Sequence, residues 1–294
     1  MNAGAARIRA QAKINLRLRV LAREPSGYHQ IETIFARVEL ADDVRVRTAV
    51  RGRTLDCRGS DVGPVEQNLA WRAAMALRDA GGPDSFGIEI EKRIPVGGGL
   101  GGGSADAGAV LRTLNALSNR PLSDEHLMSL AFSLGADVPF LTTTHPFALG
   151  RGRGERLLGL PALPSVTVWL AIPSFGVNTA EAYGWLAELR GDAPPDHGEL
   201  VMPSLTSWRS IAPLAVNDFE PVVEARHPEL GRIREAFRDA GARVALLAGS
   251  GSTVLGVFDD ASAADALDAS SFEALGARLL QTRTAESVSP VIVD

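Results

Sequence analysis

The chain has 294 residues, of which 45% are hydrophobic and 22% are charged, and its formal net charge is −5. This apolar content excludes an intrinsically disordered chain, and the length favours two domains of roughly 150 residues each. A nucleic-acid partner is not expected, because the basic residues do not cluster. No apolar run reaches about 18 residues, so a membrane-spanning helix is not expected either.

Cys57 is the single cysteine of the chain, so an intramolecular disulfide cannot form. The N-terminal residues lack the apolar segment that a secretory signal needs. Both features indicate a reducing, cytoplasmic location. We expect a monomer or weak homodimer without a membrane or nucleic-acid partner.

The first clear pattern is an alternation of apolar and polar residues over 14–20. A period of two predicts a half-buried strand, and it places Lys13 and Asn15 on the same polar side. A turn at 25–27 follows. Further strands are predicted at 31–38, 43–47 and 86–90. Helices are predicted at 69–77, 105–117 and 124–134, with Asn68 and Ser104 as caps of the first two and Gly135 ending the third.

The second half begins near residue 160 and also mixes the two kinds of element. We predict strands at 166–172, 244–247, 253–258 and 288–293. Helices are predicted at 179–189 and 228–240, a further one opens at 217–220, and a proline-bearing surface loop covers 191–203. This mixture predicts an α+β or α/β fold, with domains at residues 1–157 and 158–294.

Six of the seven residues from Gly97 to Gly103 are glycine, and the run lies between a predicted strand and a predicted helix. Ordering so many glycines costs much backbone entropy. Without Cβ atoms, successive N–H groups can converge on an anion, and the helix dipole adds positive potential. The run therefore predicts a phosphate-binding loop, and the alternative is a structural turn.

The two common phosphate-binding motifs do not fit this loop. A dinucleotide-binding G-x-G-x-x-G motif is expected earlier in the chain and before a parallel strand, whereas a second helix follows here. A Walker A motif needs lysine before serine or threonine, and Gly103 directly precedes Ser104.

The loop and its flanks resemble the glycine-rich motif of the GHMP family of small-molecule kinases. Segments 12–16, 27–29, 134–139 and 217–221 resemble further parts of the family, and 249–252 resembles its C-terminal motif. The resemblance implies an α+β fold with an N-terminal ATP-binding domain and a C-terminal ferredoxin-like α/β sandwich domain. It also implies ATP and Mg²⁺ as cofactors, and an ATP site formed by Asn68, Pro95, Val96, Gly97, Gly98, Gly99, Leu100, Gly101, Gly102, Gly103, Ser104 and Ala105.

The resemblance gives Asp137 the role of catalytic base and Lys13 that of the cation that orients it and favours its ionised form. From the residues alone, Asp137 could equally cap the turn before Pro139. Lys13 could be an ordinary lysine at a strand start.

The resemblance further implies a cytidine diphosphate-linked alcohol as substrate. Tyr28 would stack on the cytosine ring and His29 would hydrogen-bond to it. Asn15 would hydrogen-bond the substrate, or it could be an ordinary polar residue that faces outward. Tyr183 could supply the opposite stacking face, or it could be a core residue of its helix. The second glycine motif at 249–252 could approach the phosphates or simply form a hairpin turn.

Two other functions remain open at the level of the sequence. One is a related kinase for a different small alcohol, such as homoserine or a sugar. The other is a non-catalytic nucleotide-binding or regulatory protein, which the presence of both Lys13 and Asp137 disfavours.

Overall fold

The computed structural model describes residues 4–25, 27–191 and 205–294. Apart from Gly191, the surface loop predicted at 191–203 lies outside the described residues. Within the described part, no helix has the length and apolar character needed to cross a membrane.

Strands and helices are mixed along the whole described chain. The strands are β1 (Ala5–Arg23), β2 (His29–Thr48), β3 (Arg53–Arg58), β4 (Phe86–Glu91), β5 (Phe147–Arg151), β6 (Arg156–Gly159), β7 (Thr167–Pro173), β8 (Val216–Asn217), β9 (Val244–Leu247), β10 (Val254–Phe258), β11 (Ala277–Arg283) and β12 (Ile292–Val293). The helices are α1 (Leu69–Asp79), α2 (Gly102–Ala116), α3 (Asp124–Leu134), α4 (Val138–Thr142), α5 (Thr179–Arg190), α6 (Trp208–Ile211), α7 (Glu220–Glu224), α8 (Pro228–Asp239), α9 (Ala261–Asp265) and α10 (Ala269–Ala274).

The larger sheet is built around a long antiparallel hairpin of β1 and β2. Its backbone order is β12-β1-β2-β4-β3, with β5 and β6 continuing from β2, and β8 pairing with β1. Residues 10–18 of β1 are buried on both faces, so the prediction of a half-buried strand was wrong there. Its polar side, which includes Lys13 and Asn15, is covered by the glycine-rich loop and by neighbouring chain segments.

The smaller sheet has the order β11-β7-β10-β9, and all its pairs are antiparallel. When the four strands of this sheet are numbered in chain order, the sheet order is 4-1-3-2, which is the ferredoxin-like arrangement. This order confirms the predicted α+β class. The strand predicted at 288–293 shrinks to β12, and β11 was missed. Side-chain bonds from Gln11 to the backbone of Ser287 and Ser289 replace a sheet ladder there.

The predicted domain boundary between residues 157 and 158 falls inside β6. Two short strands from the second half, β8 and β12, pair with β1 of the first half. The division into 1–157 and 158–294 stays a prediction.

The N-termini of α1 and α2 differ in how they are capped. Asn68 caps α1 as predicted, because its Oδ1 accepts from the N–H of Ala70 at 2.9 Å. The prediction that Ser104 caps α2 was wrong. Gly101, with φ of 72°, takes the N-cap position three residues earlier, so α2 begins at Gly102 and Ser104 lies in its first turn.

A buried ion cluster fastens the stem of the glycine-rich loop to the fold. Nζ of Lys92 donates to Oδ2 of Asp42 at 2.5 Å and to Oδ2 of Asp106 at 2.6 Å. The other oxygen of Asp42 accepts from the N–H groups of Arg93 and Ile94. Burial alone would lower the pKa of Lys92, but the two carboxylates raise it, and burial raises the pKa of Asp106. The cluster thus joins β2, the loop stem and α2.

Replacing Lys92 by methionine would leave two buried carboxyl groups without their cation. We expect Lys92→Met to lower the free energy of unfolding by about 3–5 kcal/mol at pH 8. Because burial already raises the pKa of Asp106, the folded variant is expected to take up a proton there, so the loss shrinks as the pH falls toward 5.5. Urea unfolding followed by circular dichroism at both pH values measures the change.

Arg93→Met is the matched control, because Arg93 pairs with Asp43 on the exposed surface. Its expected loss is below about 1 kcal/mol at either pH. Equal losses in the two variants, or a loss at Lys92 that does not depend on pH, would contradict the assigned role of the cluster.

Candidate active site

The glycine-rich loop adopts a conformation that only glycine tolerates well. Gly97, Gly99 and Gly101 have φ angles of 76°, 77° and 72°, in the left-handed region. The loop borders a cavity of about 200 Å³, whose other walls include Asn68, Leu69 and Val62. The N-terminus of α2 opens onto this loop, so free N–H groups and the helix dipole favour an anion there. The loop, the cavity and the helix end together favour an anion, and their role as the ATP site stays a prediction.

The second glycine motif connects β9 and β10, which pair antiparallel, so it does form a hairpin connection. It also packs against the first loop. A Cβ atom added to Gly99 would overlap the carbonyl oxygen of Ala248, so the two backbones touch with no side chain between them. Contact of this motif with substrate phosphates stays a prediction.

Lys13 lies under the glycine-rich loop with only 4% of its surface exposed. Its Nζ donates to Oδ1 of Asn15 at 2.8 Å and to the carbonyl oxygen of Gly99 at 3.0 Å. It also pairs with Oδ2 of Asp137 at 3.3 Å. Three oxygens therefore compensate the buried ammonium, and one of them belongs to the predicted catalytic base.

Asp137 stands at the start of α4, directly before Val138. Its side chain makes no capping hydrogen bond to the backbone, so the structure does not support a capping role. Its side chain is 32% exposed, in contrast to buried Lys13. The carboxylate can therefore meet a bound molecule while the lysine holds it from behind.

Asn15 uses its amide within the protein. Its Oδ1 accepts from Lys13, and its Nδ2 donates to Oγ1 of Thr33 at 2.7 Å. The Thr33 hydroxyl in turn donates to the carbonyl of Arg17 at 2.8 Å. The structure thus gives Asn15 a part in holding Lys13, and its contact with substrate stays a prediction. Thr33 was missed, because a threonine in a predicted strand gives no local signal of this chain of bonds.

Two of the three predicted base-binding residues, His29 and Tyr183, are in direct contact. The rings of His29 and Tyr183 are stacked, with centroids 4.6 Å apart. Tyr28 is 60% exposed, and the guanidinium of Arg153 lies 4.1 Å from its ring centroid. Tyr183 therefore contacts His29, and its place opposite Tyr28 across a bound base stays a prediction. Arg153 was missed by sequence reasoning, and its position in the glycine-flanked segment 150–154 was the available signal.

The charge of Asp137 affects the pKa of Tyr183, which stacks on His29. Burial, and secondarily the charge of Asp137, raises the pKa of Tyr183 to about 12. Partial burial, together with Arg23 and Arg190, lowers the pKa of His29. At neutral pH His29 is therefore uncharged, with one ring nitrogen able to donate and the other able to accept.

The described residues contain no group of three or more histidine, cysteine, aspartate or glutamate side chains that could hold a metal ion.

Comparison with known proteins gives a consistent result. The pattern described as "GHMP kinases N terminal domain" matches residues 68–145, and "GHMP kinases C terminal" matches residues 201–274. The chain is 42% identical to a 4-diphosphocytidyl-2-C-methyl-D-erythritol kinase of Geobacter sp. (strain M21) over 87% of this chain and 90% of the relative. It is 41% identical to the kinase of the same name from Pelotomaculum thermopropionicum, over 94% and 96% of the two chains.

Solved structures agree with the sequence relatives. A crystal structure of 4-(cytidine 5'-diphospho)-2C-methyl-D-erythritol kinase superposes with a TM-score of 0.77 at 35% identity, covering 95% of this chain and 99% of that one. A homoserine kinase from Cytophaga hutchinsonii shares the fold, with a TM-score of 0.73 at 18% identity over 98% and 97%. The chain belongs to the GHMP kinase family.

Proposed function

We propose that this kinase transfers the γ-phosphoryl group of ATP to the 2-hydroxyl of 4-diphosphocytidyl-2-C-methyl-D-erythritol, a step of non-mevalonate isoprenoid biosynthesis. The observation that carries the proposal is the pair of Lys13 and Asp137, 3.3 Å apart, held against the carbonyl of Gly99 in the glycine-rich loop. The names of the relatives that are about 40% identical to this chain support the choice of substrate.

ATP is proposed to lie in the cavity beside the glycine-rich loop. Its phosphates would accept from the N–H groups of Gly97 to Gly103 and of the first turn of α2, and its adenine would lie toward Asn68. Mg²⁺ would arrive with ATP and supply positive charge to the phosphates.

Asp137 is proposed to accept the proton of the substrate hydroxyl. The hydroxyl oxygen then forms a bond to the γ-phosphorus while the bond from that phosphorus to the bridging oxygen breaks, and ADP leaves. Lys13 holds the Asp137 carboxylate in place and supplies a fixed positive charge beside the reacting groups. Such positioning and charge stabilisation account for most of the catalysis in phosphoryl transfer.

The cytosine end of the substrate is proposed to bind at Tyr28, His29 and Tyr183. An uncharged His29 can donate to the N3 or O2 atom of cytosine, or accept from its amino group. Tyr28 offers an exposed ring for stacking. We further propose that the protein acts in the cytoplasm, as a monomer or weak homodimer without a nucleic-acid partner.

The role of Asp137 can be tested by Asp137→Asn, which keeps the shape of the side chain but removes its basicity. We expect kcat to fall by about 10²–10⁴-fold, the usual contribution of a general base. The KM for ATP should stay within about threefold, because the base does not contact the nucleotide before the reaction. Steady-state ADP release with the cytidine-linked alcohol measures both constants.

Asp124→Asn, in the exposed first turn of neighbouring α3, is the control and should leave kcat unchanged. Full turnover by Asp137→Asn would exclude this residue as the base.

The substrate can be tested by comparing ADP release with the cytidine-linked alcohol, homoserine and simple sugars. We expect a strong preference for the first compound. Loss of one stacking ring costs about 1–3 kcal/mol, so Tyr28→Ala should raise the KM for this substrate by about 5–150-fold. Tyr28→Phe keeps the ring and should change it little. Equal turnover of the three alcohols, or an unchanged KM in Tyr28→Ala, would refute the proposed specificity.

A further inference from the structure

We propose that Asn217 is a positioning residue that fixes Lys13 indirectly, through contact between two glycine loops. The first glycine loop is the glycine-rich loop at residues 97–103. The second glycine loop is the second glycine motif together with Ala248, residues 248–252. The proposal rests on the proposed function only in taking Lys13 as part of the catalytic machinery.

Every hydrogen-bonding group of the Asn217 side chain bonds to a backbone group. Its Nδ2 donates to the carbonyl oxygen of Leu247 at 2.8 Å and to that of Gly249 at 2.7 Å. Its Oδ1 accepts from the N–H of Phe219 at 3.0 Å. The side chain is buried, with 2% of the residue exposed. A buried amide with both N–H groups and its oxygen satisfied has one orientation, so it fixes the entry to the second glycine loop.

Further bonds fix the same loop. Oε1 of Glu220 accepts from the N–H of Leu247 at 2.9 Å. The hydroxyl of Ser250 bonds to that of Thr179 at 2.8 Å, and the hydroxyl of Ser252 donates to the carbonyl of Phe175. Among these contacts, it is Asn217 that binds the carbonyl of Gly249, at which an added Cβ atom would lie 3.5 Å from Nζ of Lys13.

The second glycine loop in turn contacts the carbonyl that holds Lys13. A Cβ atom added to Gly249 would lie 3.2 Å from the carbonyl oxygen of Gly99 and 3.5 Å from Nζ of Lys13. The Gly99 oxygen is itself an acceptor for Nζ of Lys13 at 3.0 Å. A movement of Gly249 therefore displaces this oxygen or the ammonium, and with it the partner of Asp137.

The chain of contacts from Asn217 to Asp137 thus consists of hydrogen bonds, one ion pair and one close approach of the Gly249 and Gly99 backbones, and Asn217 itself contacts none of the reacting groups. A displacement of about 1 Å in a catalytic group can cost 10²-fold in rate. Asn217 is therefore expected to affect kcat while contributing little to substrate affinity.

The lysine content of the chain provides a direct readout. Lys13 and Lys92 are the two lysines of the sequence, and both are buried. Acetylation of their amines, followed by mass spectrometry of peptides, reports the exposure of each. Lys92 serves as an internal standard, because its bonds run to Asp42 and Asp106 rather than to the second glycine loop.

The test variant is Asn217→Asp, which keeps the acceptor for Phe219 but turns the donor into an oxygen facing two carbonyl oxygens. We expect the acetylation rate of Lys13 to rise about tenfold while that of Lys92 is unchanged. With the alcohol that the wild-type protein phosphorylates, kcat should fall about 10–100-fold and both KM values should stay within about threefold.

Asn115→Asp is the matched control. Asn115 also bridges backbone groups, because its Nδ2 donates to the carbonyl of Leu122 at 3.2 Å and its Oδ1 accepts from the N–H of Leu122 at 2.7 Å. The same chemical change there should lower stability without changing kcat or the acetylation of Lys13. If Asn217→Asp does not fold, Gly249→Ala tests the same contact and should show the same selective change at Lys13.

An equal rise at Lys13 and Lys92 would show general destabilisation and overturn the proposal, as would an unchanged rate at Lys13. The acetylation readout needs no substrate. A wild-type protein that does not phosphorylate the cytidine-linked alcohol would therefore refute the proposed function. The acetylation experiment would still test the role of Asn217.

Discussion

The direct backbone contact between Gly99 and the Ala248–Gly249 segment is the constraint on which the site depends. Any side chain at Gly99 would overlap the Ala248 carbonyl, so the two loops approach as closely as polypeptide chains can. This closeness presents the Gly99 carbonyl to Lys13, whose ammonium is almost fully removed from water. A buried ammonium is tolerated only when oxygens replace its hydration shell, and the contact supplies one of them. The packing of the two loops and the burial of the Lys13 charge therefore depend on each other.

Both lysines of the chain are buried ammonium groups paired with carboxylates, but the exposure of those carboxylates differs. Lys92 lies between Asp42 and Asp106, both of which are buried, so its charge is neutralised inside the fold. Lys13 pairs with Asp137, whose carboxylate is partly exposed. The first arrangement can only fasten the loop stem to β2 and α2. The second leaves a carboxylate oriented by a cation yet accessible to a bound hydroxyl, which is what phosphoryl transfer to an alcohol requires. Exposure of the carboxylate, rather than the presence of the ion pair, separates a structural cluster from a reactive one.

Local patterns in the sequence predicted much of the fold, and the errors have physical causes. The helix at α3 and its end at Gly135 follow from residues within one or two turns. Ser104 looked like a cap, but the left-handed Gly101 starts the helix earlier, and a preference for serine cannot reveal a φ angle. β1 looked half-buried because its alternation is regular, whereas distant segments cover its polar side. The glycine-rich loop could be predicted as a phosphate site. Its support by Asn217 could not, since that bond joins residues about 30 positions apart that no period or motif connects.

The stacked pair of His29 and Tyr183 bears on how the proposed substrate would enter. A base that stacks on Tyr183 in the proposed complex would take the place that His29 holds against that ring. Giving up one aromatic pair costs about 0.5–1.5 kcal/mol, whereas stacking a base contributes about 1–3 kcal/mol per ring. At the middle of both ranges the exchange is favourable. It also frees the imidazole, which its lowered pKa keeps uncharged, to bind the edge of the base. In the proposed complex His29 would thus fill the stacking site before binding and contact the edge of the base afterwards.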